Sequence, residues 1–267
     1  LFSAAFSGCA SGRGAATRQT IRVMTWNIHH GEGMDKNIDV DRIAQLITEE
    51  KADIVAIQEV DRGVERSKKI DIITKLADMT GMTYAFGKTI DFQGGDYGNA
   101  FLARFPIFEE RNVLFNRFPG TEQRGVLLLV LGIMGEEVVV ANTHLDNQGN
   151  DSLRVAAIND LRNIRKTNPS RAIILCGDLN DIPTSRLVTQ LKEEYLDAWE
   201  IAGTWEGFTF PSDVPKERID YIMTNNVRSS DSVSSAVHLR PLSARVIKSL
   251  ASDHLPLLVE LELSTER

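Results

Sequence analysis

Eight polar residues stand where runs of apolar residues stop, and together they carry the groups that phosphoester cleavage needs. Asn27 closes VMTWN, Glu59 closes IVAIQE and His144 follows VVVANT. Asp178 and Asn180 follow IILCG, Asp220 interrupts RIDYIM, and Asp253 and His254 precede LPLLVELEL. An apolar strand buries its side chains, whereas a polar residue at its end can be aimed into a cleft at the sheet edge. Mg2+ or Mn2+, with Ca2+ as a further option, takes hard oxygen ligands. Glu59 is the first choice of ligand, with Asn27 beside it. Asp178 can accept a proton from an attacking water and Asn180 can orient that water. His144 and His254 either stabilise phosphoryl oxygens or protonate a leaving group. No cluster of cysteines and histidines points to a structural zinc.

Each of these residues alone has a plainer explanation. An Asn after a strand forms turns, a Glu at a strand end is a solvated edge charge, and Asp253-His254 can cap a loop. The argument for a site rests on several of them converging, which depends on the elements that carry them. From Ile21 onward strand and helix patterns alternate. IRVMTWNI and DIVAIQEV read as strands. Val40, Ile43, Ala44 and Ile47 recur at helical spacing behind Asp39 as N-cap, and Ile70, Ile73, Leu76 and Ala77 mark a second helix stopped by Gly81. TYAFGKTI, GNAFLARFPI, RGVLLLVLGI and EEVVVANTHL follow as strands, the last two joined by a turn at Gly132 to Gly135. Leu153 to Ile164 marks a third helix, RAIILCGDLN a strand, Leu187 to Leu191 a short helix, and RIDYIMT, SSAVHLR and LPLLVELEL the closing strands. No linker or repeat divides 21–267, so the pattern predicts one α/β domain. Several strands follow one another without a helix between them, which requires antiparallel pairing and excludes a purely parallel sheet.

The composition is that of an ordinary globular chain, with 267 residues, 42% apolar and 25% charged. Its net charge of −7 argues against tight non-specific binding of long nucleic acid, which a basic surface favours, without excluding a local basic patch. The two cysteines, Cys9 and Cys176, stand in unlike contexts and are not expected to pair. Residues 1–20 do not read as fold. LFSAAFSGCASGRG is either the end of a bacterial lipoprotein signal, with Cys9 lipidated and the protein exported and tethered to a membrane, or a disordered leader on a protein of any compartment, the cytoplasm included.

In order, TWNI, IQEVD, NTHLD, GDLND, RIDYI and SDHLP resemble the endonuclease/exonuclease/phosphatase superfamily, over roughly Ile21 to Leu263. Each tripeptide is common, but GDLN and SDH together, downstream of QE, are specific. The resemblance implies a four-layer α/β/β/α sandwich with two mixed, largely antiparallel sheets and the site at one edge of both. It implies Glu59 as principal metal ligand, Asn27 next to the metal and Asp253 near it. It places Asp178 and Asn180 on the water, His254 against the scissile phosphate and oriented by Asp220, and His144 at a second phosphate-contacting position.

Outside these motifs, Asn99 in YGNA can donate to the phosphate. Arg124 in QRG can bind it bidentately or be a surface salt bridge. His29, His30 and Glu32 either line the cleft mouth or form a polar turn. Trp205, Phe208 and Phe210 either form a lip or pack beneath a loop. The expected function is hydrolysis of a phosphoester, foremost a phosphodiester, in nucleic acid or a smaller compound, by a monomer. The alternatives are a phospholipid or sugar-phosphate phosphoesterase at an envelope surface and, as a different class, a non-catalytic binding module. The core acids that such a module would have lost are all present.

Overall fold

A computed structural model describes residues 17–116, 118–225 and 237–265. Cys9, and with it the question of a lipid tether, lies outside the described residues, as do 234–236 of the strand expected over SSAVHLR. Among the described residues there are twelve strands and five α-helices. The first sheet contains β1 (Thr17–Asn27), β2 (Ile54–Arg62), β3 (Thr83–Phe92), β4 (Gly95–Ala103), β11 (Val237–Val246) and β12 (Leu257–Thr265) in the order β11-β12-β1-β2-β4-β3. The second contains β5 (Ile107–Leu114), β6 (Gly125–Ile133), β7 (Glu136–His144), β8 (Ala172–Asp178), β9 (Tyr195–Asp197) and β10 (Asp220–Asn225) in the order β5-β6-β7-β8-β10-β9. Only β1–β2 and β7–β8 run parallel, so both sheets are mixed and largely antiparallel, as expected.

Three apolar layers hold four structural layers together. Ile21, Val23, Ile54 and Phe101 of the first sheet pack against Leu127, Leu129, Val140 and Ile174 of the second. The outer face of the first sheet is covered by α1 (Val40–Glu49) and α2 (Ile72–Thr80), and that of the second by α3 (Ser152–Thr167) and α4 (Arg186–Leu191). The caps follow local chemistry. Asp39 accepts from the backbone N–H of Asp41 and Arg42 at the start of α1, and Gly81 ends α2 at φ 67°. No helix among the described residues is long and apolar enough to cross a membrane.

One boundary and two strands, β5 and β9, differ from the sequence reading. β1 begins at Thr17, where Thr17 pairs with Thr265, so 17–20 are part of the sheet and not of a leader. β5 was not anticipated, because it is an edge strand with exposed charges, Glu109, Glu110 and Arg111, and little of the alternation that marks a half-buried strand.

The inward rows of both sheets turn from apolar to polar as they approach one end. Strand alternation that points Ile21 and Val23 into the inter-sheet layer also points Thr25 and Asn27 there. The same rule carries Phe101 to Asn99, Val140 to Asn142 and His144, Ile174 and Cys176 to Asp178, and Ile222 to Asp220. At the border between the two regimes, Asn142 Nδ2 donates to the carbonyls of Ile57 (2.9 Å) and Ala100 (2.8 Å), and Gln58 Nε2 donates to Asn142 Oδ1 (2.6 Å) and Thr25 Oγ1 (3.1 Å). The three bonds that Asn142 makes cross from one sheet to the other where the β2–β4 register breaks between Ile57 and Val60. Asn142→Ala removes them and leaves buried carbonyls and an amide unpaired, at an expected cost of about 3 kcal/mol in urea unfolding; a loss below about 0.5 kcal/mol would show that the bridge holds nothing.

Candidate active site

The polar end of the inter-sheet layer brings the strand-end residues together. Asn27 Nδ2 donates to Glu59 Oε1 (3.1 Å) and to Asp178 Oδ2 (3.0 Å), so one amide links the first sheet's carboxylate to the second's. His144 Nε2 and His254 Nε2 each lie 3.6 Å from the same Asp178 Oδ2. His254 Nδ1 pairs with Asp220 Oδ2 at 2.9 Å. The Asn180 backbone N–H donates to Asp178 Oδ1 (2.9 Å), and the Asn180 amide donates to the Leu145 carbonyl (3.0 Å). Asp253, half-buried at the mouth, has Oδ1 3.9 Å from His29 Nδ1. Asn27, Glu59, His144, Asp178, Asn180, Asp220, Asp253 and His254 thus meet at one place.

Local backbone devices aim these groups. Glu59 takes φ 58° inside the β2 irregularity, and Asn180 takes φ 49° after β8; both are left-handed conformations that cost a non-glycine residue energy. Gly177 must be glycine, since a Cβ there would meet the Thr143 carbonyl oxygen of β7 at 2.1 Å. The SDH loop is tied to β1: Ser252 Oγ donates to the Asn27 carbonyl (2.7 Å) and Trp26 Nε1 to the His254 carbonyl (3.0 Å). Arg154 of α3 pairs with Asp181 (3.1 Å) and donates to the Asp146 carbonyl (3.0 Å), which fixes the GDLND and NTHLD loops to each other.

The remaining assignments divide. Arg124 forms an ion pair with Glu122 (3.1 Å), and it also lines, with Glu59, His144, Arg66, Phe92 and Tyr97, a cavity of about 190 Å³. Its buried Nε has no hydrogen-bond partner among the described residues. Asn99 is buried and donates to the Gly125 carbonyl at 3.4 Å, next to Arg124. Phe210 packs on the His254 ring with centroids 4.8 Å apart, whereas Trp205 is exposed. Gln58, Asn142 and Ser252 support the site and were not singled out by the sequence reading. Asn142 stands two residues before His144, on the same inward face, and that phase was the available signal.

Charge separates the two imidazoles. Burial disfavours the charged form of His254, but Asp220, Asp178 and Asp253 outweigh it and raise its pKa to about 10. Burial, Arg124 and His254 push His144 well below the ordinary histidine value, against the pull of Glu59. Burial and the neighbouring Asp220 lift Asp178 to about 7, against His254 and the hydrogen bonds from Asn27 and Asn180. Glu59 is also opposed by burial, but His30, His144 and the Asn27 amide hold it below the usual carboxylate range. An anionic Glu59, with ligand atoms of His29 and His30 within 4.8 Å of it and of each other, is a set that fits a divalent cation.

A model of the Endonuclease/Exonuclease/phosphatase family matches residues 24–254. The chain belongs to this family. Its enzymes hydrolyse phosphoester bonds and typically use divalent metals. The chain is 28% identical over 260 residues to uncharacterized protein YbhP of Escherichia coli K12, covering 91% of this chain and 97% of YbhP. An endonuclease/exonuclease/phosphatase from Beutenbergia cavernae superposes with a TM-score of 0.72 at 25% identity, covering 91% of this chain and 72% of that one. The mannosyl-6-phosphatase Bt3783 of Bacteroides thetaiotaomicron shares the fold at TM-score 0.73 and 18% identity, covering 90% and 99%. That last likeness is one of fold and carries no substrate with it.

Within this family member, the Asp220–His254 pair can be measured alone. A histidine pKa raised from 6.5 to about 10 stabilises the fold fully below pH 6.5, and that contribution is lost as pH rises through 10. In Asp220→Asn the His254 ring resonance, followed by NMR in metal-free protein, should titrate at least about one pH unit lower. An unchanged midpoint would mean that Asp220 does not hold the proton on His254.

Proposed function

We propose that this chain is a divalent-metal-dependent hydrolase of small phosphorylated compounds, with Asp178 as the base that activates water. One observation carries the reading: Asp178 Oδ2 lies 3.6 Å from two imidazole nitrogens and 3.0 Å from an amide that also holds Glu59. Base, anion-stabilising groups and metal carboxylate therefore surround one point, as an in-line attack on phosphorus requires.

The residues divide the work by their charge. Asp178, lifted to about 7, accepts the proton of a water held between it and Asn180. His254 keeps its proton against Asp220 and meets the negative charge that grows on the phosphoryl oxygens. Neutral His144 donates a hydrogen bond to the same oxygens from the other side. Glu59, Asn27 and Asp253 would hold the cation, which supplies charge neutralisation on the phosphate. Arg124 exchanges Glu122 for a substrate oxygen.

The cavity supports a small substrate. Its outer wall is Arg66, which is paired with buried Asp61 (2.9 and 3.0 Å) and lies 4.7 Å over the Phe92 ring and 5.4 Å over that of Tyr97. The result is a compact aromatic and guanidinium pocket of about 190 Å³, on a chain whose net charge is −7. A sugar or nucleoside phosphate fits such a pocket, while a long nucleic acid calls for a basic track.

The test is release of product from sugar phosphates, nucleoside phosphates, a small phosphodiester and plasmid DNA, each with Mg2+ or Mn2+. Small substrates should turn over, and Asp178→Asn should slow the reaction by about 10²–10⁴-fold with the melting temperature kept. Cleavage of plasmid alone would refute the substrate size, and no turnover of any compound with either metal would refute the hydrolase.

A further inference from the structure

The HHG segment after Asn27 is not used by the chemistry above. His29 and His30 both take φ 45°, and Gly31 follows at 85°. Two consecutive non-glycine residues in the left-handed region are strained, and such strain persists where the surroundings enforce it. The enforcement buries the His30 ring, whose side chain is 9% exposed. Its Nδ1 has no hydrogen-bond partner and points at Glu59, 4.0 Å from Oε2. That distance is too long for a hydrogen bond. It is short enough for one ion to touch both atoms. On the far side of the ring, Nε2 faces Glu32 Oε2 at 3.8 Å, and Glu32 is paired with Lys36 at 3.3 Å. Carboxylates thus stand on both sides of the ring, each beyond hydrogen-bond distance of the nearer nitrogen. His29, His30 and Glu59 each offer a ligand atom, all within 4.8 Å of one another.

We propose that His30 Nδ1 binds the cation directly alongside Glu59, so that this site selects a transition-metal ion such as Mn2+ over Mg2+ or Ca2+. Mg2+ and Ca2+ prefer oxygen, whereas first-row transition ions accept imidazole nitrogen, Mn2+ the least strongly of them, so a loss seen with Mn2+ is a lower bound for the series. The inference rests on the metal-dependent reading above, and it adds a ligand and a metal preference that hydrolysis by itself does not require.

The experiment measures binding without substrate. Metal-free wild type, His30→Asn and Glu59→Gln are titrated with Mn2+ and with Mg2+ by calorimetry, and the Mn2+ forms are examined by pulsed EPR for coupling to histidine nitrogen, assigned with isotope-labelled histidine. Asn tolerates the left-handed backbone, so the variant keeps its fold, which circular dichroism checks. Wild type should show histidine-nitrogen coupling. His30→Asn should lose that coupling and at least about 10-fold in Mn2+ affinity, with Mg2+ affinity changed by less than about 3-fold. Glu59→Gln should weaken both ions. Mn2+ binding that depends on Glu59 but shows no histidine coupling, or coupling that survives in His30→Asn, overturns the His30 ligand and leaves the hydrolase intact. Failure of wild type to bind either ion overturns the metal-dependent reading itself.

Discussion

The structure depends on placing ionised groups at the mouth of an apolar two-sheet core. Asp178 and Asp220 are almost wholly buried, and removing a carboxylate from water costs several kcal/mol unless partners replace the solvent. The partners here are the Asn27 amide, the Asn180 backbone N–H and one charged imidazole, His254. Two carboxylates against one imidazolium still leave a negative charge, and Glu59 and Asp253 add to it. The arrangement is therefore incomplete by charge alone. A divalent cation near Glu59 would balance it and would draw the Asp178 pKa back down, since a nearby positive charge favours the ionised carboxylate.

The same constraint explains how much of the site could be read from the sequence. Asn27, Glu59, His144, Asp178 and Asp220 end or interrupt apolar runs, and a polar residue on the inward phase of a buried strand has to be compensated nearby. That is a local signal, so the convergence was legible. β5 and the short β9 were not, because an edge strand rich in charge and a three-residue strand carry too little alternation. Gln58, Asn142 and Ser252 were missed for another reason. Their value lies in contacts 33, 84 and 225 residues distant in the chain, which no local pattern reports. The start of β1 was placed late because Thr17 to Thr20 are polar and mostly exposed, and become strand only by pairing with β12.

Part of the backbone strain lies where the chemistry is. His29, His30, Glu59 and Asn180 all occupy left-handed backbone, and each flanks or forms the cluster. The surrounding framework must offset that cost. The Asn142 bridge holds the carbonyl of Ile57 just before the Glu59 irregularity, and the Asn180 side chain is fixed to Leu145 after β7. The segments that carry Glu59 and Asn180 are thus held by neighbouring chain, which sets the carboxylate and amide before any substrate arrives.

The two histidines show how similar positions acquire opposite protonation. Both place Nε2 at 3.6 Å from Asp178 and both are buried, so distance to the base does not distinguish them. The difference lies behind each ring. His254 Nδ1 rests on Asp220, an anion, while His144 Nδ1 is buried without a partner and the ring lies near Arg124. One ring is held charged by Asp220 behind it, and the other is held neutral by burial and by Arg124. Exchanging the two rear environments would exchange the roles of the rings, so Asp220 and Arg124, rather than the histidines themselves, decide which side of the phosphate meets a full positive charge.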